Sequence, residues 1–296
     1  MPDLPTMFPN FNPTEPVTKL VEAVRAGTGA WFEPTRIRRK ADADAYATRV
    51  ATQAESDAAL IKAEGDVELH LLAMRVEERT KYLELRRQRN IDAIVEKAID
   101  QLPSSVSNEP VDEDWVAQFF NHAQDIGDQE MQQLWAKLLA CEVAQPESFS
   151  LRTLQVVRLL RPSDAKLFQH FSSYVWSGGF HLYNDLTLQI MQQKGLRYYE
   201  LAHLQSLGLL SMHPSTAITI EDQHKPLEIR YFDILHTVHA QPVLQIPSYL
   251  LTDVGIELTL LCDRQPDEEY RVALVEEWRS RGANVAVTVI RESTNE

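Results

Sequence analysis

Residues 58–83 read Ala58-Ala59-Leu60-Ile61-Lys62-Ala63-Glu64-Gly65-Asp66-Val67-Glu68-Leu69-His70-Leu71-Leu72-Ala73-Met74-Arg75-Val76-Glu77-Glu78-Arg79-Thr80-Lys81-Tyr82-Leu83, and their periodicity decides the reading of the fold. Small or apolar side chains recur at Ala58, Ile61, Gly65, Leu69, Leu72, Val76, Thr80 and Leu83, in steps of 3, 4, 4, 3, 4, 4 and 3. Those steps are helical, and an eleven-residue period keeps the seam on one face with little or right-handed supercoiling. From Lys40 no proline occurs until Pro103, and alanine recurs at 41, 43, 45, 47, 51, 54, 58, 59 and 63. Alanine is the strongest helix former, so the sequence predicts one helix over residues 36–102, a rod on the order of 100 Å long at 1.5 Å per residue. Such a helix cannot bury its stripe alone. It must pack on another copy of itself or on another segment of this chain, and the expectation is a homo-oligomer held through Ala58, Ile61, Gly65, Leu69, Leu72, Val76 and Leu83. Arg75, Arg79, Lys81, Arg86, Arg87 and Arg89 alternate with Glu68, Glu77, Glu78 and Glu84, the pattern of a solvated, salt-bridged flank.

The whole chain has 296 residues, 44% hydrophobic and 24% charged, enough for two or three compact units. Its formal net charge of -14 disfavours nucleic acid as a partner, because phosphate binding needs local cationic density. Cys141 and Cys262 both sit in apolar helical patterns, which excludes a disulfide framework and nearly excludes a cysteine zinc site. The N-terminus has neither a basic n-region nor an apolar h-region, and no window is apolar enough to span a bilayer. The expectation is a cytoplasmic protein that touches the inner membrane, if at all, from its surface.

Residues 1–35 form an irregular leader with prolines at 2, 5, 9, 13 and 16 and one short amphipathic segment. Val17, Leu20, Val21 and Val24 share a side of that segment, and Trp31, Phe32, Arg36, Arg38, Arg39 and Lys40 follow. Apolar face, aromatic pair and basic run together describe a docking tip for anionic membrane or for protein, too short to add much to a core. The polar stretch 103–110, with a proline at each end, marks a boundary. Residues 111–177 then read as a compact helical bundle in which Asp112, Asp128 and Ser150 cap successive helices and Trp115, Phe119 and Trp135 meet in the core. Residues 178–296 read as a winged-helix-like α+β unit: a helix closed by Gly208, a hairpin of 217–220 with 228–232, then Leu-Thr-x-x-Gly-x-x-Leu at 251–258. The predicted fold class is therefore mainly α: a long N-terminal coiled-coil-like helix, a compact helical bundle and a C-terminal winged-helix-like α+β unit.

Motifs that carry chemistry are missing. The sequence has no Gly-x-Gly-x-x-Gly, phosphate-binding loop, Gly-x-Ser-x-Gly or His-Glu-x-x-His. His236 and His239 could be drawn as a metal pair, and Asp112, Glu113, Asp114, Asp125 and Asp128 as a carboxylate cluster, but ordinary packing and helix capping account for each. The expected recognition helix carries Arg197, Tyr198, Tyr199, Glu200, His203 and Gln205, which is poor phosphate chemistry. No catalytic residue, cofactor or metal is expected.

The block Val111-Asp112-Glu113-Asp114-Trp115-Val116-Ala117-Gln118-Phe119-Phe120-Asn121-His122-Ala123-Gln124-Asp125-Ile126-Gly127-Asp128-Gln129-Glu130-Met131-Gln132-Gln133-Leu134-Trp135-Ala136-Lys137-Leu138-Leu139-Ala140, continuing through Pro146 to Leu154, resembles the signature of a bacterial and prophage-associated family of unknown function allied to the abortive-infection alpha proteins. The resemblance extends upstream through the Ala-rich helix and ends at Trp176. It implies a role in phage defence and brings no catalytic residues with it. The expected function is a self-assembling, non-enzymatic protein working through protein contacts, the alternatives being a winged-helix nucleic-acid regulator or a peripheral membrane effector.

Overall fold

The computed structural model describes residues 14–28, 67–213, 216–220, 225–240 and 243–290. The chain divides into two compact units, Met1–Ser148 and Phe149–Glu296. The division falls after the block that carries the capped aromatic helices, and the helix that Ser150 caps belongs to the second unit.

In the first unit the described residues form helices α1 (Glu15–Thr28), α2 (Val67–Ile99), α3 (Glu113–Ala123) and α4 (Gln129–Ala144). Asp112 accepts the Trp115 N–H at 2.8 Å and Asp128 accepts that of Met131 at 3.0 Å, so each carboxylate satisfies an orphan donor at a helix start. These caps align two short helices whose aromatic faces close on each other. Phe119 stacks on Trp115 at 5.3 Å and meets Trp135 edge-on at 5.2 Å. Leu138, Leu139 and Val143 of α4 complete the wall, and Ile91, Ile94, Val95 and Ala98 of α2 are buried in the same unit.

The α1 helix overturns one expectation. Leu20, Ala23 and Val24 are buried, and α1 packs on α3 and α4. A Cβ at Gly27 would run into Val116 and Phe120, so glycine is what lets the two helices approach. This short amphipathic segment is part of a core, not a tip held away from one.

In the second unit α5 (Leu151–Leu159) and α6 (Pro162–Ser172) lead into β1 (Phe180–Leu182), α7 (Asp185–Gln193), α8 (Tyr198–Ser206), β2 (Leu210–Ser211), β3 (Ala217–Ile220), β4 (Leu227–Tyr231), β5 (Ile234–Ala240), β6 (Leu244–Leu251), α9 (Asp253–Thr259), α10 (Glu268–Ser280) and β7 (Ala283–Val289). The strands make two antiparallel sheets. One runs β1-β6-β2 with β3 also on β6, and the other is β4-β5-β7. Alternation along β5 buries His236, Val238 and Ala240, and Tyr270, Leu274 and Trp278 of α10 are buried with them in this unit.

The architecture is thus mixed α+β, which corrects the mainly α reading in two places. The expected hairpin does not form: β3 pairs with β6, Ile218 opposite Ile246, whereas β4 pairs with β5, Ile229 opposite His236. The two expected wing strands belong to different sheets, so the unit is not a winged helix. Within the described residues the long coiled-coil-like helix is corrected as well. The described helix starts at Val67, residues 36–66 lie outside the described residues, and from Asn90 to Ala98 the helix packs in its own unit rather than along a partner rod. The Leu-Thr-x-x-Gly element has a local cause instead. Thr252 donates to Gly208 O at 2.6 Å and accepts the Gly255 N–H at 3.1 Å, and a Cβ at Gly255 would strike the Leu209 carbonyl.

Candidate functional site

The feature of the first unit that packing leaves over is the N-terminal part of α2. The unit grips this helix from Arg86 onward: Arg86 donates to Asp125 O at 3.3 Å, Arg87 pairs with Asp125 at 3.1 Å, and Asn90 donates to Gln124 O at 2.8 Å. Ile91, Ile94 and Ala98 then turn inward at steps of 3 and 4. Traced backward at the same helical spacing, that buried stripe becomes Arg87, Leu83, Thr80, Val76, Leu72 and Leu69. One face of one helix is therefore covered for its last third and solvent-facing before it. Leu72 and Val76 are 49% and 45% exposed, Leu69 is exposed with them, and Leu83 is half-buried. Leu71, Met74 and Tyr82 are exposed on the other side. Ala58, Ile61 and Gly65, the rest of the sequence-derived seam, lie outside the described residues.

Of the expected docking tip only the α1 residues are described. Leu20 and Val24 are buried and Val17 and Val21 half-buried in the first unit, while Trp31, Phe32, Arg36, Arg38, Arg39 and Lys40 lie outside the described residues. Beside α1 opens a cleft of about 470 Å³ lined in part by Lys19, Glu22, Glu109, Asp112, Glu113 and Glu147. Asp112 caps α3, the Glu147 backbone N–H donates to Glu142 at 2.8 Å, and Lys19 reaches the Asn108 carbonyl at 2.8 Å. Among the described residues no group of three His, Cys, Asp or Glu is arranged to hold a metal. Asp128 serves as a cap, and Trp115, Phe119 and Trp135 serve as core.

The second unit contains a polar network that the sequence did not announce. His181 on β1 is fully buried, its Nδ1 3.1 Å from the Tyr174 carbonyl, its ring stacked on Tyr270 at 5.8 Å. The Tyr270 hydroxyl donates to the Leu182 carbonyl and receives the Trp176 indole N–H at 3.2 Å. Nearer the surface, Asp267 caps α10 and accepts from Lys194 at 2.6 Å and from the Tyr174 hydroxyl at 3.0 Å. Burial pushes the Asp267 carboxyl up, but those donors outweigh it and hold it below the usual range. Burial and the Asp267 charge push the Tyr174 phenol well up. Arg271 donates to His236 Nε2 at 3.2 Å, and burial followed by that guanidinium lowers His236 to about 4. His239, three residues along the strand, belongs to the opposite face, so the two histidines do not form a metal pair. Asp267, Tyr174, Tyr270 and their partners bond one another across β1, the turn after α6 and the first turn of α10. This is the arrangement of a structural clamp.

A family model described as a protein of unknown function, DUF2806, matches residues 74–275. The chain belongs to this family. The DUF2806 match takes in the exposed half of α2 from Met74, the whole aromatic block and most of the second unit. No curated protein and no solved structure matches the chain.

Proposed function

We propose that this DUF2806 protein works by assembly, with the exposed stripe of α2 receiving the same stripe of a second copy. The observation that supports it is the continuity of the stripe. Between Leu72 and Leu83 the helix repeats the pattern that its own unit covers from Asn90 to Ala98, so its chemistry is that of a surface made to be packed. Charge favours a second copy as the occupant. Residues 67–89 hold six bases, at 75, 79, 81, 86, 87 and 89, and four acids, at 68, 77, 78 and 84, in a chain whose net charge is -14. Two such chains meet with less repulsion at this segment, with its excess of two positive charges, than over their acidic remainder. The assembly acts through protein contacts rather than through a reaction. Its cellular setting, on the strength of the aromatic block's resemblance, is phage defence.

The test is sedimentation of the full-length protein beside Leu72→Asp/Val76→Asp at tens of micromolar. Both positions are exposed, so the variant keeps its circular dichroism melt, and its mass falls relative to wild type. An unchanged mass removes the stripe as the contact. Hosts carrying either protein are then challenged with phage: protection by wild type and its loss in the variant tie assembly to defence, and equal plaquing on both removes the defence role.

A further inference from the structure

The sheet β4-β5-β7 has two edges, and the chain treats them differently. At β4 the edge is blunted: Pro226 precedes the strand, Glu228 and Arg230 lie on it, and the Arg230 backbone N–H donates to the Ser177 hydroxyl at 2.9 Å. At β7 the strand itself bears neither proline nor charge. Ala283–Val289 reads Ala-Asn-Val-Ala-Val-Thr-Val, without charge, proline or glycine. Val287 and Val289 are 42% and 60% exposed. Edge strands of this kind template pairing with another chain, and proteins that must stay apart place lysine, proline or a bulge there.

The register fixes which backbone groups face outward. Ile290 N–H donates to the Asp233 carbonyl at 2.7 Å, one step past the ladder in which Thr288 opposes Leu235 and Ala286 opposes Thr237. Even-numbered residues of β7 therefore bond to β5, and Val285, Val287 and Val289 turn their N–H and C=O away from it. Arg279 caps the Val285 carbonyl at 3.0 Å, and among the described residues no strand pairs with this side.

We propose that β7 is a second self-association edge, pairing antiparallel with β7 of another copy about a two-fold axis at Val287. That register sets Val287 against itself and Val285 against Val289, joining two three-stranded sheets into one of six. The occupant is a second copy because the strand is self-complementary. Its outward groups are donor and acceptor in alternation, its side chains are valines matched to valines, and two chains of net charge -14 meet here on an uncharged segment. The pairing stands independently of the α2 contact. With both in place, each copy has two different two-fold contacts, and copies link into an open chain instead of stopping at a dimer.

The experiment separates the two contacts by measuring full-length mass in four proteins: wild type, Leu72→Asp/Val76→Asp, Val287→Lys, and all three substitutions together. In Leu72→Asp/Val76→Asp the expected mass is that of two chains, reduced twofold to one chain when Val287→Lys is added. Val287→Pro gives the same reduction, since the Val287 N–H bonds nothing inside the sheet and its loss leaves β5 paired. Val287→Thr, uncharged and strand-forming, keeps the dimer and shows that the site tolerates substitution. Amide exchange at Val285 and Val289 is slow in the dimer and fast after Val287→Lys. A mass of one chain in Leu72→Asp/Val76→Asp, or a mass that Val287→Lys leaves unchanged, overturns the β7 pairing. Failure of the α2 reading shows up separately, as a Leu72→Asp/Val76→Asp mass equal to wild type while Val287→Lys still lowers both.

Discussion

His181 shows how one buried side chain couples the second unit to pH. A carbonyl only accepts, so at 3.1 Å from Tyr174 O the Nδ1 atom carries the proton, and Nε2, which has no partner, is bare. Adding a second proton would place charge among Phe171, Tyr183 and Tyr270, and burial accordingly lowers the ring to about 4 from its ordinary 6.5. In the unfolded chain the ring takes its proton near 6.5. Between that pH and about 4 the unfolded state binds more protons, so stability is complete above 6.5 and is lost as pH falls, by on the order of 3 kcal/mol. Denaturant midpoints measured from pH 7 to 4 should fall, and His181→Gln should flatten the slope even while lowering the midpoint at pH 7. His236, lowered in the same direction, adds to the slope. A slope that His181→Gln leaves unchanged would mean that the ring titrates normally. Trp135 offers a second residue-level test, since its buried indole N–H has no partner in the first unit. Trp135→Phe should therefore lose only bulk, whereas Trp135→Ala should cost roughly 3 to 5 kcal/mol, and Asp128→Asn should cost little because asparagine caps nearly as well. These caps were legible in the sequence because a cap is a local rule linking a side chain to a backbone three residues on. The His181 network was not, because Tyr174, His181, Asp267 and Tyr270 are brought together across some ninety residues by pairings that no short-range pattern encodes.

At the scale of elements, α1 carries the sharpest expectation. Its four apolar positions suggested a segment that could be removed without affecting folding, yet Leu20 and Val24 are enclosed by the unit and Gly27 sets the approach to α3. Leu20→Asp should lower the melting temperature of the first unit, because it buries an unpaired carboxylate, and Gly27→Leu should do so through the clash with Val116 and Phe120. A melt unmoved by Leu20→Asp would show that α1 does not dock. Length misled here: burial depends on the close approach that one glycine permits, and a hydrophobic count does not contain it. The strands failed for a related reason. Periodicity marks 217–220 and 228–232 as strands, and both are, but alternation specifies a face and not a partner, so the neighbour in sequence was chosen over β6. By contrast, the helical spacing of α2 from Leu69 to Leu83 is legible in the sequence, because steps of 3 and 4 are a local pattern, whereas the burial of Ile91, Ile94 and Ala98 on the same face depends on packing that the pattern does not contain.

At the scale of the whole molecule, the balance between charge and apolar contact makes salt the most direct probe of how copies associate. Each chain carries a formal net charge of -14, so two copies repel at long range, and that repulsion is screened over about 10 Å at 0.1 M salt and about 3 Å at 1 M. The contact proposed on α2 rests on Leu72, Val76 and Leu83, whose burial does not weaken with sodium chloride, and its mixed-charge flank contributes little either way. The edge of β7 has no charge to screen. Raising sodium chloride from 50 mM to 500 mM should therefore strengthen association, and sedimentation at fixed protein concentration should show a larger weight-average mass at the higher salt. If the copies were instead held by the bases of α2 seated on an acidic surface of a neighbour, the same titration would run the other way, with the mass falling as salt rises. That outcome would leave α2 as the interacting element but move its partner surface to the acids around Glu22, Glu109 and Glu113. Glu109→Gln/Glu113→Gln would then weaken association while Leu72→Asp/Val76→Asp would not.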